Sequence, residues 1–316
     1  MKRVQEFALV DWGTSNLRVW ITDAEGRLHK QAVSPIGADR LLSGQFYGVL
    51  KNILQEIGGA PGIGGKYPVV ICGMAGARNG WVEAGYVSVP ASCYEVLASP
   101  AHIEADDLDV YILPGLAVQD KRTPDVMRGE ETQLLGFYIK NPDFSGLICL
   151  PGTHGKWVFM DRGTVTSFRT AMTGELFALL SRQSVIRHVV GDESLFPPDD
   201  AGFKAGILEG YNHPEQILFD LFSVRARGLL FSAQGTAASS RLSGLLIGAE
   251  ISGILKNNQH LKRHVLIATG RISILYQKAF EYLGCEIECF DADLLVQEGL
   301  RVAAEKIFDI KREGLQ

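Results

Sequence analysis

Apolar residues along the chain fall into short blocks that end on glycine, and the blocks recur in the same order in the two halves. Phe7–Val10 is a continuous apolar run that stops at Asp11 and a glycine-containing turn. Leu17–Thr22 predicts a second strand, Asp23-Ala24-Glu25-Gly26 a hairpin turn, and Arg27–Val33 a third strand. Helical spacing follows from Phe46 to Ile57 and ends at Gly58-Gly59, after which Pro68–Cys72 predicts a buried strand breaking at Gly73. The second half begins alike. Leu147–Leu150 breaks at Pro151-Gly152, Lys156–Met160 and Thr164–Arg169 flank the turn Asp161-Arg162-Gly163, and a helix pattern runs from Gly174 to Val185. Further helices are expected over Leu221–Phe231, Leu242–Leu255, Ile272–Leu283 and Asp293–Ile310, with a strand at Val265–Ala268.

Each half therefore opens as strand, glycine turn, strand, turn, strand. Helices come later, which predicts an α/β protein with a mixed sheet whose opening is antiparallel. Asn141-Pro142-Asp143 is the polar break before the second opening strand and divides the chain into expected domains 1–142 and 143–316, with the last helix free to pack back on the first.

Composition narrows the function classes. Apolar residues make up 46% of the 316, enough for substantial cores. A net charge of −5 without a Lys/Arg block gives no footprint for nucleic acid, so any bound anion must be held by a local site. The five cysteines are odd in number and mostly scattered, as expected in a reducing compartment. Cys285 and Cys289 lack the two further ligands that zinc requires. Met1-Lys2-Arg3 runs directly into Gln5 and Glu6 without the apolar stretch of a signal peptide, and no window approaches the ~20 apolar residues of a membrane span. The expected location is the cytoplasm, and no membrane partner is expected. The sequence leaves room for a homodimer without specifying one.

Two common phosphate loops are absent. Gly65-Lys66 and Gly155-Lys156 lack the glycine spacing and the Ser/Thr of a P-loop, and no G-x-G-x-x-G opens a helix after a strand. What remains are two strand-terminating turns at matched positions, Asp11-Trp12-Gly13-Thr14-Ser15 and Pro151-Gly152-Thr153-His154-Gly155. Each combines glycine, a hydroxyl and exposed backbone N–H groups, the ingredients of a phosphate clamp.

These turns resemble the phosphate-1 and phosphate-2 loops of the sugar-kinase/actin/chaperone ATPase superfamily, and Ala268-Thr269-Gly270 resembles its adenosine-binding strand end. Together with Gly73-Met74-Ala75-Gly76-Ala77-Arg78-Asn79-Gly80-Trp81 and Met127-Arg128-Gly129-Glu130-Glu131-Thr132-Gln133, they resemble the 2-dehydro-3-deoxygalactonokinase family over about residues 8 to 300. The resemblance implies two ribonuclease-H-like (actin-like ATPase) domains with a nucleotide cleft between them. It also implies transfer of the ATP γ-phosphate to O6 of 2-dehydro-3-deoxy-D-galactonate, with Mg²⁺ as cofactor and the sugar acid and ATP as small-molecule partners. By the same resemblance Asp11 is the acid on the Mg²⁺ side, acting through water, and Gly13, Thr14 and Ser15 line the phosphates with Gly152 and Thr153. Gly270 and Arg271 mark the adenine end.

Related sugar kinases carry an Asp at a helix start before the second loop. Here that region holds Glu130 and Glu131, either of which is a candidate base. The substrate's carboxylate calls for a planar cation, for which Arg78 in its glycine-rich loop is preferred over Arg18 and Arg169 on strands. Asn79 and Trp81 are candidates for a hydrogen bond and a sugar-facing wall, His154 for a contact to phosphate or substrate, and Glu175 for a helix cap or a contact to the nucleotide ribose. Competing readings are a kinase of another sugar, for which a charged clamp has no purpose, and a non-catalytic sugar or nucleotide sensor, for which the chain lacks a basic patch or long insertion.

Overall fold

The computed structural model describes residues 6–59, 66–190 and 200–309. The chain divides into two compact units. One comprises the chain up to Phe144, Met160–Phe168 and the segment from Asp291 on; the other comprises Ser145–Phe159 and Arg169–Phe290.

The first unit opens with β1 (Glu6–Trp12), β2 (Leu17–Asp23) and β3 (Leu28–Ser34), followed by α1 (Phe46–Glu56) and β4 (Tyr67–Gly73). Short strands come next: β5 (Tyr86–Ser88), β6 (Ala91–Ser92), β7 (Ala101–Glu104), β8 (Leu108–Ile112), β9 (Gly115–Val118) and β10 (Asp125–Met127). Then comes α2 (Glu130–Lys140). The second unit opens with β11 (Ser145–Leu150) and most of β12 (Gly155–Asp161) and takes in the end of β13 (Thr164–Ala171), whose first five residues belong to the first unit. It continues through α3 (Thr173–Gln183), α4 (Arg187–Val190), α5 (Asp200–Asn212), α6 (Ile217–Leu230), α7 (Thr236–Leu255), β14 (His264–Ile267), α8 (Gly270–Tyr282) and β15 (Glu288–Phe290), and α9 (Ala292–Ile307) follows.

The two larger sheets share one plan. The first has the order β3-β2-β1-β4-β8-β7, the second β15-β14-β11-β12-β13-β6. In the first, β2 and β3 run antiparallel on one side of β1, while β4 and β8 run parallel on the other. In the second, β12 and β13 lie on one side of β11, while β14 and β15 run parallel on the other. This repeated order is the ribonuclease-H-like plan that the resemblance implies. It realises the antiparallel opening read from the glycine turns.

Strands parallel to their neighbours are covered on both faces, which is why β1 reads as an unbroken apolar run. Phe7, Ala8, Leu9 and Val10 are all buried. Ala8, Val10 and Trp12 form one core with Phe46, Leu50 and Leu54 of α1. α9 packs on β1 and β4 as well as on α2.

The α2–α9 contact is unusually close, and two glycines permit it. A Cβ on Gly136 would lie 2.0 Å from the carbonyl oxygen of Leu295, and one on Gly299 would lie 2.0 Å from that of Thr132. Neither obstacle is a flexible side chain, so no rotamer change relieves the clash. α5 and α7 use the same device in the second unit, where Cβ atoms on Gly206, Gly210, Gly244 and Gly248 would each meet opposing backbone within 2.5 Å.

Gly299→Ala or Gly136→Ala is therefore expected to lower stability by at least the ~1–3 kcal/mol of ordinary overpacking. Gly48→Ala on α1, where an added Cβ meets nothing within 4 Å, should be neutral or slightly stabilising. Thermal melts of the three variants check this, and a Gly299→Ala protein melting like Gly48→Ala would contradict the close crossing.

Candidate active site

In the first unit, three elements bring their ends to one place. β1 and β4 run parallel and end in register, Asp11 beside Cys72 and Trp12 beside Gly73. Gly73 has φ 90°, and a Cβ there would lie 2.5 Å from the Trp12 carbonyl oxygen, so only glycine fits between the strand ends. Gly129, with φ 107°, lies against Gly73 in turn and starts α2 over the same edge. α9, fixed to α2 by the glycine crossing, presents Asp293 in its first turn.

Asp11, Glu130 and Asp293 thus form an acidic group around one strand end. Burial pushes the Asp11 carboxyl upward; Arg18 opposes this, while Asp293 and Glu130 add to it. Arg18 Nη1 donates to Asp11 Oδ2 at 3.2 Å, and its Nε lies 3.5 Å from Asp293 Oδ1. Arg18, an alternate for the substrate clamp in the sequence, is therefore engaged with the acids. Asp293 has no motif of its own, and its part depends on a helix more than 150 residues beyond α2.

The two candidate bases have different surroundings. Glu131 is fully buried: its Oε2 accepts from the Gly129 N–H at 2.6 Å and its Oε1 from Thr132 Oγ1 at 3.2 Å. Burial, and secondarily Glu130, push its carboxyl up to about 8. Glu130 is half-buried, and its Oε2 accepts from the Arg128 N–H at 3.2 Å. Both carboxylates thus brace the turn that starts α2, and Glu130 keeps access to solvent. Cys72 lies between the acids, its Sγ 3.8 Å from Asp11 Oδ1, and burial raises its thiol well above the usual value.

Arg128 was part of the motif but carried no assigned role. Its guanidinium donates from Nη2 to the Gly85 carbonyl at 2.7 Å and stacks 4.4 Å from the centre of the Tyr86 ring. It anchors the turn that carries Glu130 to the strand after the Arg78 loop.

The remaining first-unit candidates lie on loops. Gly13, Thr14 and Ser15 form the turn between β1 and β2, with Thr14 and Ser15 exposed. The segment from Gly37 supports this turn from beneath: Ala38 N–H donates to Gly13 O at 3.0 Å and Asp39 N–H to Thr14 O at 3.1 Å. Arg78 and Asn79 are exposed, and Arg78 makes no hydrogen bond or ion pair among the described residues. Trp81 instead belongs to an aromatic cluster, stacked on Phe46 at 6.2 Å and edge-on to Trp12 at 6.4 Å. Half-buried, it packs against the core through these rings.

In the second unit, the turn between β11 and β12 carries Gly152, Thr153 and His154. A Cβ on Gly174 would lie 2.4 Å from the Gly152 carbonyl oxygen, so α3 begins pressed against this turn, and Glu175 N–H donates to Thr153 O at 3.0 Å. The side chain of Glu175 does not cap α3; it pairs with His154 Nε2, which ties that histidine to the first turn of α3. A cavity of about 250 Å³ lies beside the turn, lined by Gly152, Gly174, Ser240, Ser243, Arg271 and Tyr276 among others. Arg271 lines the cavity, and Gly270, with φ 62°, starts α8 next to it.

Behind the cavity, Glu250 on α7 accepts from Trp157 Nε1 at 2.7 Å and from Tyr276 Oη at 2.6 Å. Burial raises its carboxyl. Nothing in the local pattern of α7 marks Glu250, because its partners come from β12 and α8.

The profile of the 2-keto-3-deoxy-galactonokinase family matches residues 11–303. The chain belongs to that family. Among related family members, a probable 2-dehydro-3-deoxygalactonokinase of Rhizobium meliloti (strain 1021) is 40% identical over 304 residues, 96% of this chain and 98% of that protein. The 2-dehydro-3-deoxygalactonokinase of Escherichia coli (strain K12) is 36% identical over 303 residues, 95% of this chain and 98% of its own length. The crystal structure of a candidate 2-dehydro-3-deoxygalactonokinase from Sinorhizobium meliloti superposes with a TM-score of 0.89 at 39% identity, covering 96% of this chain and 99% of the other. The four motifs that suggested the family all lie within the matched span, apart from the apolar run that precedes Asp11. Among the described residues no helix is long and apolar enough to cross a membrane, and no three His, Cys, Asp or Glu side chains form a metal cage.

Glu131 makes stability depend on pH. Its folded carboxyl titrates near 8, against an ordinary value of 4.5. The folded state therefore keeps a proton that the unfolded chain releases. The stability this contributes is full below about 4.5 and is lost as pH rises toward 8. Glu131→Gln should gain in melting temperature over the parent at pH 8.5 relative to pH 5, and parallel melting profiles across that range would contradict a buried, proton-retaining Glu131.

Proposed function

We propose that the chain is an ATP-dependent 2-dehydro-3-deoxygalactonokinase. It transfers the γ-phosphoryl group of ATP to the 6-hydroxyl of 2-dehydro-3-deoxy-D-galactonate, giving 2-dehydro-3-deoxy-6-phosphogalactonate and ADP in galactonate catabolism. The observation that carries this reading is the solvent-accessible Glu130 at the start of α2, beside Asp11 at the end of β1, in a chain of this family.

Phosphoryl transfer asks mainly for positioning, charge neutralisation and a carboxylate to orient the attacking hydroxyl. Glu130 takes the proton of the 6-hydroxyl as the new O–P bond forms and the bond to the leaving ADP oxygen breaks. Glu131 is the positioning residue: buried and hydrogen-bonded to the Gly129 N–H, it holds the turn from which Glu130 projects. Asp11, backed by Asp293, fits a Mg²⁺ ion held through water, since Mg²⁺ takes few protein carboxylates and keeps much of its hydration. When bound, that ion supplies charge neutralisation at the phosphates. Gly13, Thr14 and Ser15 of the first unit offer backbone N–H groups and hydroxyls to phosphate, and Gly152 and Thr153 carry the same kinds of group on the turn of the second unit. The cavity beside Gly270 and Arg271 suits the adenosine. Arg78, exposed and without an ion pair among the described residues, is the cation for the substrate carboxylate, and exposed Asn79 stands beside it.

A coupled ADP-release assay with Mg²⁺ should show turnover that depends on 2-dehydro-3-deoxygalactonate; a folded protein inactive on it and on a panel of sugar acids would sink the assignment. In that assay Glu130→Gln should lower kcat by about 10²–10⁴-fold, the usual worth of a general base, with little change in ATP affinity. Equal, mild losses for Glu130→Gln and Glu131→Gln would remove both from the role. Arg78→Ala should mainly raise KM for the sugar acid, and an unchanged KM would move the carboxylate site elsewhere.

A further inference from the structure

α6 is apolar on two opposite faces. Its inner face, Ile217, Leu221, Val224 and Gly228, packs into a core with Leu242 and Leu245 of α7. Its outer face carries Leu218, Phe219, Phe222, Leu229 and Leu230, which are 79%, 73%, 62%, 64% and 73% exposed. With 100° per residue, these positions and Ala226 form one continuous arc, while Asp220, Ser223 and Arg227 fall outside it. A helix with apolar stripes on two opposite faces, separated by Arg225 on one side and Asp220, Ser223 and Arg227 on the other, is normally covered on both. At the sizes of Leu and Phe side chains the face presents on the order of 650 Å². That exceeds the roughly 300–600 Å² of the largest patch on an ordinary monomer and approaches the ~800 Å² per partner of a standard interface.

The spacing of the patch points to what covers it. Leu218 and Leu230, Phe219 and Leu229, and Phe222 and Ala226 are three pairs placed symmetrically about residue 224. A two-fold axis at that level, crossing two antiparallel copies of α6, sets each member of a pair against its mate on the other copy. The large Phe222 then meets the small Ala226 twice, and Phe219 meets Leu229 twice. Phe219, Phe222, Ala226 and Leu229 also follow the 3-4 spacing of a helix–helix seam. An isologous contact requires such self-complementarity, and the large–small match of Phe222 with Ala226 supplies it.

We propose that the protein is a two-fold homodimer whose interface is the outer face of α6 packed antiparallel on α6 of a second copy. Sedimentation velocity of the full chain at micromolar concentration should give twice the chain mass. Phe222→Glu and Ala226→Glu should each yield monomers, with dissociation constants raised at least 100-fold, unchanged helical circular dichroism and unchanged kcat per chain. The exchange Phe222→Ala with Ala226→Phe should keep the dimer, because the large–small contact is reciprocal. A monomeric parent protein, a dimer that survives both glutamate variants, or a dimer lost in the exchange would overturn the proposal.

Discussion

The chemistry of the first unit depends on how closely two helix backbones can approach. Gly136 and Gly299 let α2 and α9 touch main chain to main chain. With that contact, the first turns of both helices reach the end of β1, and Glu130 and Asp293 stand beside Asp11. With side chains between them, the helices would separate by the thickness of a methyl layer. An electrostatic group whose members act on one another's ionisation would then loosen into three ordinary surface acids. The acidity of the site is thus a packing property before it is an electrostatic one.

The same logic of small residues under functional turns recurs. Gly73 seats β4 against β1, and Gly174 seats α3 against the turn that carries Thr153. In each case, the residue expected to touch phosphate sits on a turn whose far side is fixed by backbone contact. Such turns need little reorganisation when a ligand arrives, and preorganised donors are worth most at a transferring phosphoryl group. Glu250 extends this bracing in the second unit, joining β12, α7 and α8 through one carboxylate.

Much of this was legible in the sequence where the signal was local. Apolar runs cut short by glycine marked β1, β2, β4, β11 and β12 within a residue or two, because strands covered on both faces carry few polar positions; the more exposed β3 and β13 were marked instead by the turns that precede them. The two matched turns and the Glu130–Glu131 helix start were visible for the same reason. Between Trp81 and Glu130 the chain forms six short strands that the pattern did not mark, since two- to five-residue strands leave too few positions for a period. Arg18, Asp293 and Glu250 were illegible in a different way. Each occupies an ordinary position on a strand or helix and acquires its part only through partners far along the chain. Trp81 adds a link the pattern did not carry: the aromatic read as a candidate binding wall packs, half-buried, against the core through Trp12 and Phe46.

The placement of α9 also sets an order of events during synthesis. The first unit begins at β1, yet it is completed by the segment from Asp291 on. Until that segment leaves the ribosome, the faces of β1, β4 and α2 that α9 covers stay open and Asp293 is missing from the acid group. Every residue of the second unit is made before then. The enclosed unit can therefore settle first, as a folded insert inside a host still waiting for its last helix. A nascent chain halted before residue 291 would have both loops and no assembled acid cluster, so the acid group forms only once α9 has been made.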